Sequence, residues 1–176
     1  KLGRNLGQYE ELESQMMERV EAVYEKHQRK VSLIGWSLGG VFAREVAKKS
    51  PHLIRSVITL GSPFSGITQP NNASWIFELI SGKKIQDLSY EGIDQIHKSP
   101  SMPTTAIYSK TDGIVPWQSC LEPALPHTEN IEVSAAHFGL GHNPAALICI
   151  ADRLAQEEGE WAPFKPNAKT KSFFPS

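Results

Sequence analysis

The sequence predicts an α/β fold, a mostly parallel β-sheet with helices on its faces. Segments with strand patterning alternate with segments of helical periodicity along the 176 residues. The strand segments are short, continuous apolar runs, which is typical of strands covered on both faces of a parallel sheet. The composition, 40% hydrophobic and 21% charged, is that of a globular chain of about one domain. We therefore expect a single domain over residues 1–176.

The first part of the chain supplies two predicted helices and two predicted strands. Residues 8–27 are predicted as a helix, because apolar residues recur every three or four positions while charged residues fill the opposite face. A strand follows at Val31–Trp36, a second helix at Leu38–Lys49 and a second strand at Ile54–Leu60, closed by a Gly-Ser-Pro turn. The expected buried stripe of the first helix is Tyr9, Leu12, Met16, Val20 and Val23, and its expected polar face is Glu10, Glu11, Glu13, Glu18, Arg19 and Glu21.

The rest of the chain supplies two more predicted strands and a last helix. The strands are Thr104–Ser109 and Ile131–Ala135, and the helix is Ala145–Gln156. Asn143 and Pro144 mark the start of this helix, since Asn is favoured at the N-cap and Pro at the first helical position.

Two segments interrupt or follow this alternation. Residues 64–102 form an insertion between the second and third strands and include a short amphipathic piece, Trp75–Ile80. A lid beside a site and a plain connecting insertion are both open interpretations. Residues 157–176 are rich in Pro and Lys and predict an irregular tail. Its aromatic side chains are expected to hold it to the body: Trp161, Phe164, Phe173 and Phe174.

Charge, apolar runs and cysteine content argue against several classes of protein. The 18 basic residues nearly balance the 19 acidic ones, so the net charge of −1 gives no electrostatic case for nucleic acid. No apolar run approaches the ~20 residues that span a bilayer. Without a recognisable targeting segment, a cytoplasmic location is slightly favoured. Cys120 and Cys149 lack the spacing of a metal site, so we expect two ordinary thiols and neither a metal nor another cofactor.

A strand-to-helix turn carries the most informative motif, the G-W-S-L-G sequence that ends at Gly39. An apolar strand runs into this G-x-S-x-G pattern and a helix leaves it, the context in which it presents a nucleophilic serine. The turn is so sharp that side chains two residues before and after Ser37 would collide, which accounts for Gly35 and Gly39, and the glycine after Gly39 lets the helix pack closely. The Leu38 N–H lies at a helix N-terminus, where it can donate to an oxyanion.

A serine hydroxyl needs a base, and the base needs an acid to orient it. Asp112 follows the third strand and is the predicted acid, although Asp-Gly is also a common turn pair. His137 comes directly after the fourth predicted strand and is the predicted base. His142 lies just before the N-cap of the last helix, a position that favours a role in supporting the site. His142 as an alternative base is also an open interpretation. Gly139 and Gly141 argue against the helix that would align both histidines on a metal.

In chain order and context these motifs resemble the α/β-hydrolase superfamily, in its lipase and esterase branch. Within that branch the sequence is similar to bacterial hydrolases related to triacylglycerol lipases and acyltransferases. The resemblance implies a Ser-His-Asp triad, a covalent acyl-enzyme and hydrolysis of a carboxylic ester of a small molecule or lipid. The residues that carry it are Val31–Gly40, Leu60–Phe64, Thr111–Pro116 and His137–Leu140.

The sequence departs from that family before residue 31. In the family, several strands precede the strand-to-helix turn that carries the nucleophile (the nucleophile elbow), and a loop among them gives the second oxyanion donor. Here only one predicted helix precedes the elbow strand, and residues 1–30 offer no such loop. We therefore expect Val31–Trp36 to be an exposed apolar edge strand and the chain to be the C-terminal part of a longer hydrolase.

Several functions are compatible with these residues. Hydrolysis of an ester is the favoured function, and an acyltransferase would use the same triad. A patatin-like Ser–Asp dyad would need no histidine base. A truncated hydrolase without catalytic activity is the remaining alternative. The sequence gives no indication of oligomeric state. Aromatic residues that could line an acyl pocket, with core packing an equally good explanation for each, are Trp36, Phe64, Trp75, Phe77, Trp117 and Phe138.

Overall fold

A computed structural model describes residues 9–65 and 96–175 of the chain. The elements in chain order are α1 (Tyr9–His27), β1 (Val31–Trp36), α2 (Leu38–Lys49), β2 (Ile54–Leu60), β3 (Thr104–Tyr108), β4 (Thr128–Glu132) and α3 (Pro144–Ala155). Short 3₁₀ helices lie at Trp117–Cys120, His137–His142 and Lys171–Phe173.

The four described strands form one sheet in the order β1-β2-β3-β4, and each neighbouring pair is parallel. The register places Ile34 opposite Ile58, and Leu60 opposite Ile107, which in turn lies opposite Ile131. Because all strands run the same way, their carboxyl ends share one edge of the sheet. The parallel sheet predicted from the sequence is therefore confirmed.

Helices cover both faces of this sheet. On one face α1 and α2 pack over the sheet, with Val20 and Val46 buried against Val57. On the other face α3 packs through Ala146 and Cys149. This layering follows from the apolar stripes of the helices and confirms the predicted α/β architecture.

The fourth strand differs from its prediction. It spans Thr128–Glu132 rather than Ile131–Ala135, because its polar side chains find partners in the neighbouring strand and in the preceding loop. Glu129 accepts from Thr105 Oγ1 at 2.8 Å, and Asn130 Nδ2 donates to the Glu122 carbonyl at 2.9 Å. Apolar patterning alone misses a strand whose polar residues find such partners.

Strand β1 is an edge strand within the described sheet, as its sequence suggests. Its residues alternate between faces, so Leu33 packs toward α1 and α2 while Ile34 and Trp36 point to the other face. There Ile34 is 46% exposed and Trp36 is 41% exposed, since α3 packs over β2, β3 and β4.

Glu13 and Arg44 are among the charged residues that lie buried although no pattern in the sequence indicates it. Glu13 was expected on the polar face of α1 but is buried and pairs with Lys49 Nζ at 2.6 Å. Arg44 of α2 is fully buried, pairs with Glu122 and lies 3.7 Å from the Phe64 ring centroid. Burial lowers the pKa of Arg44 to about 9, which leaves it a cation at neutral pH.

The insertion and the tail are described only in part. Trp75–Ile80 and most of residues 64–102 lie outside the described residues. In the tail, Phe164 and Phe174 pack against the core beneath α3 with their ring centroids 5.2 Å apart, whereas half of Phe173 is exposed. Over 9–65 and 96–175, no helix combines the length and apolarity needed to cross a bilayer.

Both cysteines are expected to be unreactive in the folded protein. Cys120 and Cys149 are buried free thiols, and burial raises the pKa of each from 9.0 to about 12. Since the thiolate is the reactive form, a disulfide reagent at about pH 8 should label neither thiol natively and both after unfolding in guanidinium. In the unfolded chain both thiols lose their protons at a lower pH than in the folded protein. The free energy of unfolding should therefore fall as the pH rises from 9 toward 12. Stoichiometric labelling of the native protein would contradict this burial.

Candidate active site

Ser37 sits at the turn between β1 and α2, in a strained backbone conformation. Its φ is +54° and its ψ is −127°, which is unusual for a residue with a side chain. Two hydrogen bonds hold the turn: the Ser37 N–H donates to the Leu60 carbonyl at 2.8 Å, and the Gly40 N–H donates to the Ser37 carbonyl at 3.0 Å. The turn thus presents the hydroxyl at the carboxyl edge of the sheet.

The structure supports the predicted roles of two glycines of this turn, Gly35 and Gly40, but not that of Gly39. A Cβ on Gly35 would lie 2.3 Å from Gly40 Cα, so Gly35 is required as predicted. A Cβ on Gly40 would lie 2.0 Å from Ser62 Oγ and 2.9 Å from the Gly35 carbonyl oxygen. A Cβ on Gly39, by contrast, would meet no described atom within 4 Å. The prediction for Gly39 is therefore wrong, because the close approach in the turn is made by Gly40.

The structure brings Ser37, His137 and Asp112 together from three separate parts of the chain. His137 Nε2 lies 3.0 Å from Ser37 Oγ, and His137 Nδ1 lies 2.7 Å from Asp112 Oδ2. The His137 side chain is 5% exposed and the Asp112 side chain 2% exposed. A hydroxyl, an imidazole and a carboxylate in one buried hydrogen-bonded row can move a proton away from the hydroxyl.

The Asp112 carboxylate is held on both of its oxygens. Oδ1 accepts from the N–H groups of Ile114 and Val115 at 2.8 and 2.9 Å, and Oδ2 faces His137. The Asp-Gly turn therefore also orients the carboxylate, since holding Oδ1 directs Oδ2 toward His137. Neither donor could be located from the sequence.

Two residues that sequence reasoning missed support the contact between His137 and Asp112. Gly61, at the end of β2, has φ +53°, and a Cβ there would lie 3.2 Å from Asp112 Oδ2 and 3.4 Å from His137 Nδ1. Ser109 Oγ accepts from the N–H groups of Thr111 and Ala135 at 3.2 and 3.1 Å, which ties the Asp112 loop to the His137 loop. The only sequence signals for them are the Gly-Ser-Pro turn and the end of an apolar strand.

His142 takes a different position from His137. It ends the 3₁₀ helix that His137 begins, and its side chain is exposed. Asn143 follows it and caps α3 by accepting from the Ala146 N–H at 3.1 Å, as predicted. Of the two histidines, it is His137 that contacts the serine. Within 9–65 and 96–175, no three His, Cys, Asp or Glu side chains cluster as metal ligands would.

The aromatic residues considered for an acyl pocket separate into different environments. Phe64 is fully buried beneath Arg44, so it belongs to the core. Trp36 and Phe138 are exposed beside His137, whereas Trp117 stacks on Tyr108 with ring centroids 5.6 Å apart. Trp75 and Phe77 lie outside the described residues.

A cavity of about 430 Å³ lies away from Ser37, near the amino ends of β2 and β3. Ile54, Met102 and Trp161 are among its lining residues, and none of the three residues in the hydrogen-bonded row lines it. The cavity therefore does not provide a pocket at the serine.

Comparison with known proteins places this chain among hydrolases. A sequence profile of the palmitoyl protein thioesterase family matches residues 2–111, more than half of the chain. A search of curated proteins found no significant match.

Solved structures of the same fold include three lipase-related proteins. A Bacillus licheniformis lipase in its mature form is 18% identical, with a TM-score of 0.57, 81% of this chain covered and 72% of that one. A lipase-esterase related protein from Clostridium acetobutylicum is 18% identical, with a TM-score of 0.56 and coverage of 86% and 76%. A monoacylglycerol lipase from Paleococcus ferrophilus is 15% identical, with a TM-score of 0.54 and coverage of 81% and 73%.

These likenesses agree with the parallel sheet and the strand-to-helix turn at Ser37, and the profile match covers that turn and the strands β1, β2 and β3. The chain therefore belongs to the palmitoyl protein thioesterase family, within the α/β-hydrolase superfamily.

Proposed function

We propose that this protein is a serine hydrolase that cleaves carboxylic esters through Ser37, His137 and Asp112. The observation that carries the proposal is the continuous row of two hydrogen bonds, 3.0 Å from Ser37 to His137 and 2.7 Å from His137 to Asp112. Membership of a hydrolase family supports the same reaction class. The two exposed aromatic rings beside His137, those of Trp36 and Phe138, suit an apolar small-molecule or lipid ester.

In the proposed reaction, Ser37 Oγ bonds to the ester carbonyl carbon while its proton moves to His137 Nε2. Asp112 accepts from His137 Nδ1–H and stabilises the imidazolium. The Leu38 N–H donates to the oxyanion of the tetrahedral intermediate. When the intermediate collapses, the carbon–oxygen bond to the alcohol breaks and His137 returns the proton to that alcohol. Water then repeats these steps on the acyl-enzyme and releases the acid.

A thioester substrate is the second candidate, and the family name favours it. The steps are the same, except that the bond broken is carbon–sulfur and His137 protonates a thiol. Transfer of the acyl group to an alcohol in place of water is a third outcome of the same acyl-enzyme. Comparing hydrolysis of p-nitrophenyl esters and acyl thioesters, with and without added alcohol, separates the three.

Covalent labelling by a fluorophosphonate probe tests the nucleophile. The wild-type protein should be labelled and Ser37→Ala should not, because the probe bonds only to an activated serine. Ser101→Ala is the matched control, since Ser101 is exposed and lines the cavity away from Ser37, and it should label as the wild type does.

Two results would overturn the proposal. Labelling of Ser37→Ala at the wild-type level would place the nucleophile elsewhere. A folded wild-type protein that neither labels nor hydrolyses any ester or thioester would favour the non-catalytic alternative.

A further inference from the structure

The residue before the nucleophile makes contacts that the turn itself does not require. Trp36 ends β1, and its Nε1–H donates to the His137 carbonyl at 3.1 Å across 101 positions of sequence. The centroid of its ring lies 5.3 Å from that of the His137 imidazole, with the planes 38° apart. A G-x-S-x-G turn needs small residues at its glycine positions but no particular side chain at this one.

The geometry points to Trp36 as a positioning residue for His137, an inference that rests on the proposed function. Asp112 fixes the imidazole at Nδ1, but neither this hydrogen bond nor the one between Nε2 and Ser37 acts on the face of the ring or on the backbone of His137. Trp36 adds a second and a third constraint, one on the backbone of His137 and one on the face of its ring. Together the three contacts aim Nε2 at Ser37 Oγ.

Phe138 is the third ring of this cluster. Its ring centroid lies 5.8 Å from Trp36 and 5.8 Å from His137, edge-on to the imidazole. Phe138 is 70% exposed, so it adds little burial of its own. The ring cluster therefore depends on Trp36, which is anchored in β1, and it links the histidine loop to the strand that carries the serine.

The indole can also act on the charge that forms during the reaction. His137 becomes an imidazolium when it takes the serine proton, and a cation within about 6 Å of an indole face is attracted to it. The effect is greatest in the transition state, where the charge develops. Loss of Trp36 should therefore lower kcat more than it changes KM.

Two variants separate these contributions. Trp36→Phe keeps a ring and removes the donor, and we expect kcat to fall about 2–10-fold. Trp36→Leu removes ring and donor, and we expect a further fall of about 2–5-fold. KM should stay within about twofold in both variants. Trp161→Leu is the control, because Trp161 is a half-buried tryptophan in the tail, beside the cavity remote from Ser37, and its kcat should not change.

A measurement that needs no turnover keeps this test separate from that of the proposed function. The Nδ1–H proton of His137 in its hydrogen bond to Asp112 should give a far-downfield proton resonance, assigned by its loss in His137→Ala. In Trp36→Leu this resonance should broaden through faster exchange with solvent, with a smaller effect in Trp36→Phe and none in Trp161→Leu. If Ser37→Ala stays active, the proposed function fails, whereas the resonance still reports on the contact with Trp36.

Three results would overturn the inference. One is a kcat and a His137 Nδ1–H resonance in Trp36→Leu that equal those of the wild type. If Trp36→Leu does not fold, the same result in Trp36→Phe overturns the inference. Another is a raised KM at unchanged kcat, which would make Trp36 a substrate contact. The last is a fall in thermal stability alone, equal in the Trp36 and Trp161 variants, which would make its role purely structural.

Discussion

Asp112→Asn is expected to lower kcat for ester hydrolysis by about 10⁴-fold while the protein stays folded. The amide oxygen can still accept from the Ile114 and Val115 N–H groups in place of Oδ1. The amide NH₂ then replaces Oδ2 and faces His137 Nδ1 as a donor. That contact favours the imidazole tautomer with its proton on Nε2, which cannot accept the proton of Ser37.

Steady-state hydrolysis of a p-nitrophenyl ester measures this loss. Asp152→Asn is the matched control, since Asp152 is a partly exposed carboxylate on α3 that pairs with Arg153. Removing its charge should leave kcat unchanged. The double variant Asp112→Asn with His137→Ala should be no slower than His137→Ala alone, because residues that act as one unit are not additive.

The same series decides between the triad and the dyad. A patatin-like dyad would lose activity in Asp112→Asn but keep it largely in His137→Ala. Loss in both variants is expected here, given that His137 lies between the other two side chains. Retention of activity in His137→Ala would therefore remove the histidine from the mechanism.

How much of the site can be read from the sequence depends on how local each contact is. The Ser37 turn is a local strand-to-helix motif, and Asp112 and His137 each follow a strand, so pattern and chain order suggest all three. Gly61 and Trp36 act across strands, and their contacts depend on which strand ends are neighbours. The order of the strands in the sheet cannot be predicted from any single segment, so the supporting roles of these two residues are seen only in the folded structure.

The fold was predictable to a similar depth. Buried strands and amphipathic helices have strong periodicity, and β1, α2 and β2 begin and end at the predicted residues. The predicted range of the fourth strand is wrong because Glu129 and Asn130 are residue types typical of loops. Their partners, Thr105 on β3 and the Glu122 carbonyl, are known only from the structure. A polar residue in a strand has no periodic signature, and its stability comes from contacts distant in sequence.

Gly35→Ala is the second large expected effect, and it acts on folding. The added Cβ would lie 2.3 Å from Gly40 Cα, 2.4 Å from the Gly39 carbonyl oxygen and 2.4 Å from the Gly40 nitrogen. All three are backbone atoms, so no side-chain rotation relieves the clash. The strand and the helix must move apart, and we expect a loss of about 3 kcal/mol in the free energy of unfolding, measured by urea denaturation.

Gly39→Ala is the control that makes this result specific, since it places the same methyl group four residues along the same turn. Its Cβ meets no described atom within 4 Å, and residue 39 lies in the first turn of α2. Alanine favours a helix over glycine by up to about 1 kcal/mol, so this variant should be as stable as the wild type or slightly more so. Equal destabilisation by both substitutions would mean that the turn tolerates no side chain at either glycine, as the sequence pattern alone suggested. A stable Gly39→Ala beside an unstable Gly35→Ala would instead show that the steric demand of the turn lies between Gly35 and Gly40, where β1 and α2 meet.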